Sequence, residues 1–215
     1  MDFTQRVVVD TNQVDWCPAS TPGASHKAMA YEDSVSGHYT SMVRYRAGAM
    51  FTRQERSVGE EILVLAGTFS DETGDYPAGT YYRVPPSSGH MPFSQLGCVL
   101  LMKQHQFQAG DNESVCINTK TKEWISGHGD MNVMPLHDFQ SEQTALIKWP
   151  AHQSFQPQRH LGGEEIFILS GELIDDRGRY SAGTWIRSPQ KSMENPRTEQ
   201  ETVAFVKVGH LPLTG

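Results

Sequence analysis

The side chains best suited to bind a metal ion or take part in catalysis occur twice with the same spacing. Glu60 lies four positions after Arg56, and Glu164 lies four positions after His160. An imidazole nitrogen and a carboxylate oxygen can bind a divalent metal ion together, whereas a guanidinium keeps its proton and has no lone pair to donate. The two segments therefore differ in chemistry. Elsewhere the sequence shows no nucleophile–base pair, no phosphate-binding glycine loop and no basic stripe interleaved with aromatic residues.

These two segments belong to an internal repeat. A shift of 104 positions places residues 59–103 on 163–207 without a gap, and 18 of the 45 positions are then identical. An earlier echo has a spacing of 108: Val9-Asp10-Thr11-x4-Trp16 and Ile117-Asn118-Thr119-x4-Trp124. A fixed period indicates tandem copies of one structural unit. We therefore expect a first domain over 1–109 and a second over 110–215.

Within each copy the local pattern is that of β-structure. Short runs rich in β-branched and aromatic residues alternate with glycine and proline, and no apolar period of 3.6 residues lasts longer than two helical turns. The runs are 40–45, 62–65, 80–84 and 98–102, with partners at 144–149, 166–169, 184–186 and 202–206. A repeat of about 100 residues with about eight short strands fits an antiparallel double-sheet roll, a β-sandwich or a small barrel. We predict an all-β protein.

The amino-acid composition argues against some binding partners and indicates the cellular compartment. The 215 residues carry 18 Lys+Arg against 25 Asp+Glu, a net charge of −7, which argues against binding to nucleic acid or to an anionic membrane surface. The longest apolar runs are too short to span a bilayer, and the N-terminus lacks the pattern of a signal peptide. Cys17, Cys98 and Cys116 are sparse and far apart, which is typical of reduced thiols. We expect a cytoplasmic protein.

The spacing of the glycine, proline and polar residues between the predicted strands resembles that of the cupin superfamily. The first cupin motif runs Gly, five residues, His-x-His, three or four residues, Glu, six residues, Gly. Both copies have these intervals, over 48–67 and 152–171, although several residue types differ. The second motif runs Gly, five residues, Pro-x-Gly, two residues, His, three residues, Asn, and its intervals recur over 79–94 and 183–198.

The sequence of residues 59–81, together with Arg83, Pro85 and His90, is similar to that of the ChrR-type cupin. In that family the cupin is the C-terminal domain of zinc-containing anti-sigma factors. The resemblance spans nearly the whole chain and implies two tandem cupin β-barrels of the jelly-roll, RmlC-like kind. In that family the anti-sigma activity resides in an N-terminal helical domain with a His-x3-Cys-x2-Cys zinc motif. The sequence contains no such motif, so a sigma factor is not an expected partner.

The resemblance also implies the positions of metal ligands. They fall on Gln54, Arg56, Glu60 and His90 in the first copy, and on Gln158, His160, Glu164 and Glu194 in the second. Since an amide and a guanidinium replace two imidazoles in the first copy, we expect that site to be degenerate, with Arg56 substituting for the cation beside Glu60. One imidazole, two carboxylates and an amide in the second copy could hold one Zn, Fe or Mn ion. A cavity without metal is the alternative.

The function implied by the resemblance is that of a sensory or regulatory module, related to transcription regulators that act on extracytoplasmic-function sigma factors. It would bind a metal ion or a small molecule in its barrel cavities, as a monomer or homodimer and without contacting nucleic acid or membrane directly. The alternatives are a metal-dependent dioxygenase of small diketones or aryl ketones and a structural bicupin with vestigial sites. Neither copy has three imidazoles at ligand positions, which disfavours the enzyme, and we assign no catalytic residue. We expect the second copy to hold the working cavity.

Overall fold

The computed structural model describes residues 2–19, 22–30, 37–51, 58–86, 88–155, 161–190, 192 and 195–211. Within these ranges the regular structure is entirely β. In chain order the strands are β1 (Val7–Asp10), β2 (Cys17–Pro18), β3 (Ala24–Ala30), β4 (Tyr39–Tyr45), β5 (Ala49–Met50), β6 (Glu60–Asp71), β7 (Gly74–Pro77), β8 (Thr80–Val84), β9 (Phe93–Ser94), β10 (Cys98–Gln104), β11 (Val115–Asn118), β12 (Ile125–Ser126), β13 (Asn132–Phe139), β14 (Glu142–Trp149), β15 (Gln153–Ser154), β16 (Glu164–Ser170), β17 (Glu172–Asp175), β18 (Gly178–Ser181), β19 (Thr184–Ser188), β20 (Arg197–Thr198) and β21 (Thr202–Val208).

The strands form two units with one topology. The first barrel comprises residues 15–122, and the second comprises 2–14 together with 123–215. The main sheet of the first barrel has the order β11-β8-β6-β10-β4-β3-β2, and that of the second has the order β1-β19-β16-β21-β14-β13-β12. These orders match strand for strand, and every pairing is antiparallel. The predicted all-β class with two tandem jelly-roll barrels is confirmed.

The leading strand of each sequence copy belongs to the barrel built mainly from the other copy. Strand β1 pairs with β19 in the second barrel, and β11 pairs with β8 in the first. The hydroxyl of Thr11 donates to the carbonyl of Gly183 at 2.6 Å, and the hydroxyl of Thr119 donates to that of Gly79 at 2.6 Å. The division by contacts therefore differs from the division by sequence repeat at these strands. The similar segments 9–16 and 117–124 thus begin in equivalent strands at the edges of the two main sheets.

Each barrel places alternate residues of its central strands in an apolar interior. In the first barrel the interior cluster includes Ile62 and Val64 of β6 and Leu100 and Met102 of β10. The second barrel uses the equivalent positions of β16 and β21. Since successive side chains of a strand point to opposite faces, the intervening residues lie on the other face of the sheet. The period of two in the sequence thus sets which side chains can reach a cavity.

The other face of each sheet carries buried charge. In the first barrel Arg83 and Asp111 form an ion pair at 2.8 Å, and the Arg83 guanidinium lies 3.8 Å from the centroid of the Phe107 ring. In the second barrel Lys207 Nζ and Glu142 Oε1 are 2.6 Å apart, and both side chains are fully buried. Buried charges persist in folded proteins when they are paired, because an isolated charge would pay a large desolvation penalty. These residues therefore have a structural role away from the barrel interiors.

Two broad sequence expectations can be compared with the structure. All three cysteines are free thiols, as their spacing indicated. No helix in the described ranges is long and apolar enough to cross a bilayer.

Two motif glycines of the first barrel differ in how much room surrounds them. Gly67 and Gly48 both have positive φ, at 71° and 75°, so either alanine variant adopts a strained backbone. A Cβ on Gly67 would lie 2.0 Å from the Gly97 carbonyl oxygen, whereas a Cβ on Gly48 would meet no atom within 4 Å. The glycine that ends the first motif is thus required by close backbone packing as well as by its φ.

We predict that Gly67→Ala destabilises the protein by about 2 kcal/mol more than Gly48→Ala, because only the first change forces the backbone apart. Gly48→Ala should cost about 1 kcal/mol from its positive φ alone. Urea unfolding followed by circular dichroism measures both. Equal losses in the two variants would contradict the packing argument.

Candidate functional site

Glu60 and His90 meet in the first barrel. Glu60 opens β6, and His90 lies in the loop before β9. Their Oε2 and Nε2 atoms are 3.1 Å apart, and both side chains are buried. The other oxygen of Glu60 accepts a hydrogen bond from the Gln104 side chain at 2.8 Å. Two of the residues placed at ligand positions by the sequence therefore share one compartment, while Gln54 and Arg56 lie outside the described residues.

Asp71 is a member of this cluster that the sequence reading missed. Its Oδ2 lies 3.3 Å from His90 Nδ1 and accepts a hydrogen bond from the Tyr82 hydroxyl at 2.9 Å. Its Oδ1 accepts from the Thr73 backbone at 2.8 Å and from the Tyr76 hydroxyl at 3.1 Å. An aspartate shortly before a glycine is typical of a hairpin turn, and Oδ1 fulfils that role. The repeated tyrosine five residues later was the available signal for a second role.

The two carboxylates favour the charged form of His90. Burial alone would lower the pKa of His90, but the hydrogen bonds and negative charges of Glu60 and Asp71 outweigh burial and raise that pKa above its usual value. Burial would likewise raise the pKa of Asp71, yet hydrogen bonds from Thr73, Tyr82 and His90 outweigh it and keep that pKa below its usual range. Both carboxylates therefore favour the protonated form of the buried His90 imidazole.

This arrangement does not fit a metal ion. Both nitrogens of His90 face carboxylate oxygens, so neither points toward an open position for a metal ion. Throughout the described parts of the chain, no group of three or more His, Cys, Asp and Glu side chains is arranged to hold a metal. Among the described residues of the first barrel, His90 lies between the Glu60 and Asp71 carboxylates.

The second barrel contains a cavity of about 340 Å³. Its wall is formed by inward-facing residues of the main sheet, with Trp149, Phe155, Leu173 and Pro196 around them. Most of the lining is apolar, and the polar lining side chains are Arg6, His128, Gln143, Glu164, Asp175 and Ser188. A largely apolar concavity with a few placed polar groups is typical of a small-molecule site.

The polar groups of the cavity are ordered by the strand register. Glu164 pairs with Ser188 on one side and with Val208 on the other, and Val208 also pairs with Gln143. Arg6 precedes Val7 of β1 and so falls at the level of Ser188. One row across the sheet therefore carries four of the six polar lining side chains, which we call the polar row: Arg6, Ser188, Glu164 and Gln143.

Arg6 is a second residue that the sequence reading missed. Its Nη2 lies 2.6 Å from Asp175 Oδ2, its Nη1 donates to the Tyr180 hydroxyl at 3.1 Å, and its guanidinium lies 5.1 Å from the centroid of that ring. Asp175 Oδ1 accepts from the backbone of Arg177 and Gly178, as expected of a hairpin turn. Only the exchange of the leading strands brings Arg6 here, and no local pattern in the sequence predicts it.

Side-chain volume distinguishes the interiors of the two barrels. In the first barrel the Tyr76 and Tyr82 rings stack with centroids 4.1 Å apart, and Phe69 lies 5.8 Å from Tyr76. Smaller residues occupy several equivalent positions in the second barrel. The pairs are Phe69 and Leu173, Tyr82 and Ile186, Leu100 and Ala204, and Met102 and Val206. Replacing large side chains by small ones leaves space that neighbouring groups fill only in part.

Of the four ligand positions predicted for the second copy, the structure describes one. Glu164 lines the cavity, partly exposed. Gln158, His160 and Glu194 lie outside the described residues, so the metal set of this barrel stays a prediction.

With the fold and both interiors described, comparison with known proteins identifies the family. The chain belongs to the ChrR cupin-like domain family, whose model matches residues 4–108 and again 112–212. The protein is thus a bicupin with two ChrR-type cupin domains. A search of curated proteins found no match.

Several solved structures of low sequence identity have similar folds. A candidate dioxygenase from Nostoc punctiforme has a TM-score of 0.82 at 16% identity, covering 96% of this chain and 83% of its own. A candidate glyoxylate-induced protein from Pseudomonas aeruginosa has a TM-score of 0.79 at 9% identity, covering 98% and 91%. Oxalate decarboxylase from Bacillus subtilis, which has Mn(II) centres, has a TM-score of 0.65 at 13% identity, covering 95% and 76%. At these identities the likeness shows the fold.

We predict that His90 stabilises the protein in a pH-dependent way. Its raised pKa in the folded state means that the stabilisation is complete below the unfolded value of about 6.5 and is lost as pH rises through the folded value. His90→Gln should therefore be destabilised by about 3 kcal/mol at pH 5.5, because a buried ion pair is broken. The deficit should shrink toward pH 9.

Urea unfolding at a series of pH values measures this difference. His128→Gln is the control, since His128 is exposed and its removal should cost little at any pH. A deficit for His90→Gln that stays constant from pH 5.5 to 9 would contradict the charged state assigned to His90.

Proposed function

We propose that this bicupin is a sensory or regulatory module that binds a small molecule in its second barrel. The observation that carries the proposal is the cavity of about 340 Å³, lined by inward-facing apolar residues and the polar row. Its volume falls at the lower end of the range for small-molecule pockets. The aromatic stacking in the first barrel supports a scaffold role for that unit.

The regulatory part of the proposal comes from the family. ChrR-type cupins resemble the C-terminal domains of anti-sigma factors, and binding of a ligand is the property that a cupin cavity can contribute to regulation. The net charge of −7 supports a module without direct nucleic-acid or membrane contacts. We propose a cytoplasmic monomer or homodimer.

A metal ion in the second barrel is the finer form of the proposal. Glu164 would bind it together with Gln158, His160 and Glu194, and a divalent Zn, Fe or Mn ion would supply a Lewis acid for a ligand oxygen. The described residues contribute only the Glu164 carboxylate to this set.

We predict that restoring first-barrel residues in the second barrel abolishes ligand binding. In the double variant Leu173→Phe and Ile186→Tyr, larger side chains occupy the cavity, so affinity should fall at least tenfold. A thermal-shift screen of small molecules against the wild-type chain identifies ligands, and titration calorimetry compares the variants. A ligand at one hundred times its Kd stabilises the wild type by about 2.7 kcal/mol.

The reciprocal variant, Phe69→Leu with Tyr82→Ile, is the matched control in the first barrel. It should lose several kcal/mol of stability from the opened core, at about 1–4 kcal/mol for each change, and retain ligand affinity. If the second-barrel variant binds every identified ligand as tightly as the wild type, the cavity is not the binding site.

The structural likeness to a candidate dioxygenase supports one enzymatic alternative. The substrate class that the family resemblance implies for it is a small diketone or an aryl ketone. We expect no oxygen uptake when the untagged protein, incubated with Fe, is mixed with acetylacetone.

Metal analysis of the same samples should show whether about one equivalent is bound and whether Glu164→Ala, but not Glu60→Ala, removes it. Uptake that depends on Glu164 would replace the binding module with an enzyme.

A further inference from the structure

The outer face of a small sheet in the first barrel carries exposed apolar side chains. Strand β5 pairs with β9, β9 pairs with the end of β6, and β7 pairs with that end from the other side. Met50 is 80% exposed, and Leu96 and Met91, which follow and precede β9, are 84% and 42% exposed. The partly buried Phe93 lies opposite Met50. Three of the six exposed large apolar side chains of the described residues therefore belong to one cluster, which we call the apolar patch: Met50, Met91, Phe93 and Leu96.

The equivalent face of the second barrel is polar. A shift of 104 positions replaces the apolar patch by exposed polar residues: Ser154, Asn195, Arg197 and Gln200. Beside them Arg179 lies 2.5 Å from Glu172 and 2.7 Å from Glu199. The second barrel thus covers this face with ion pairs of its own. Since both barrels share one topology, the fold does not require apolar residues at these positions.

The first barrel has also lost the charges of this face. Uncharged residues stand at the positions equivalent to Glu172 and Glu199. In the row that crosses the apolar patch the charged side chain is Asp75, which lies two strands from Phe93 and accepts a hydrogen bond from Ser70 at 2.6 Å. Charge is depleted at the centre of protein interfaces and kept at their rims. Because two copies with a net charge of −7 repel each other, self-association needs a contact face with an uncharged centre.

The apolar patch is complementary to itself. Met50 and Phe93 form one row across the strands, and Met91 and Leu96 lie on opposite sides of that row. A two-fold axis along the row places Met50 and Phe93 against their own copies and each Leu96 against the partner's Met91. Such an isologous contact closes on itself and covers the patch in both copies. A second copy of this chain is therefore sufficient to bury all four side chains.

We propose that two copies of this chain associate through the apolar patches of their first barrels, about a two-fold axis that runs along the Met50–Phe93 row. Burial of apolar surface drives the association, and the flexible methionine side chains adapt to the facing copy. Asp75 stays hydrated at the rim. Because the patch is small, the dimer is weak and reversible. This interface goes beyond the proposed function, which left monomer and homodimer open, and it does not depend on ligand binding.

Sedimentation equilibrium of the full chain tests the association. Between about 1 and about 500 μM, the range expected for a small interface, the chain should pass from monomer to dimer and form no larger species. The triple variant Met50→Ser, Phe93→Arg and Leu96→Gln carries the residues of the second barrel and should weaken the dimer at least tenfold. Leu161→Gln removes an apolar side chain of the second barrel that is 73% exposed, and it should change the affinity less than twofold.

Disulfide cross-linking tests the two-fold axis. The exposed thiols are first removed by Cys17→Ser and Cys116→Ser. In that background Met50→Cys should form an interchain disulfide under mild oxidation, because the axis brings the two copies of this position together. Ser154→Cys is the matched control, since it is the exposed equivalent position in the second barrel and should remain reduced at the same protein concentration.

Each result decides for or against the interface. A chain that stays monomeric over the whole range overturns the proposal, and so does a dimer that the triple variant leaves unchanged. Equal cross-linking at both cysteine positions overturns the two-fold axis. Circular dichroism shows whether the triple variant folds. If it does not, Met50→Ser alone replaces it, at a side chain that makes few contacts within its own chain, and should weaken the dimer at least threefold.

Discussion

A buried aspartate at the end of a hairpin strand constrains both barrels. In each, one carboxylate oxygen closes the turn and accepts from a tyrosine, and the other faces a cation. The Asp and Gly of the turn and the tyrosine are identical in the repeat, but the basic partner is not: His90 comes from a loop of the first barrel, and Arg6 from the leading strand of the second. Each buried carboxylate needs a basic partner to offset its desolvation, and that partner can come from a different part of the chain in each barrel.

This difference accounts for other changes between the copies. The second copy has Glu194 where the first has His90, so that position cannot supply a cation to Asp175. Arg6 supplies it instead, and the corresponding residue of the other leading strand, Ser114, is uncharged. The exchange of cation accompanies the loss of aromatic volume at Leu173 and Ile186. In one barrel a buried histidine therefore lies between two carboxylates, and the other barrel keeps open space beside an ion pair.

The sequence was sufficient for the fold because the repeat, the period of two and the turn residues all agree. The motif spacing also predicted that Glu60 and His90 lie in the same barrel interior, because both residues stand at fixed intervals from motif glycines. The two side chains are in contact there. It could not identify Arg6, because strand exchange places that residue in a barrel to which its own repeat contributes little else. The second role of Asp71 was hidden because the turn alone is a sufficient reason for an aspartate. Cavity volume depends on four separate side-chain differences, none informative singly.

Strand exchange also changes what the duplication can achieve. If each copy kept its own leading strand, the row beside Ser188 would receive Ser114 rather than Arg6, and Asp175 would lack its cation. The exchange lets the first copy carry a charge that acts in the second barrel. Selection on residues 2–14 can therefore alter the second cavity without altering the strands that form its wall. The polar row combines groups from both copies, so its charge can evolve separately from the barrel that surrounds it.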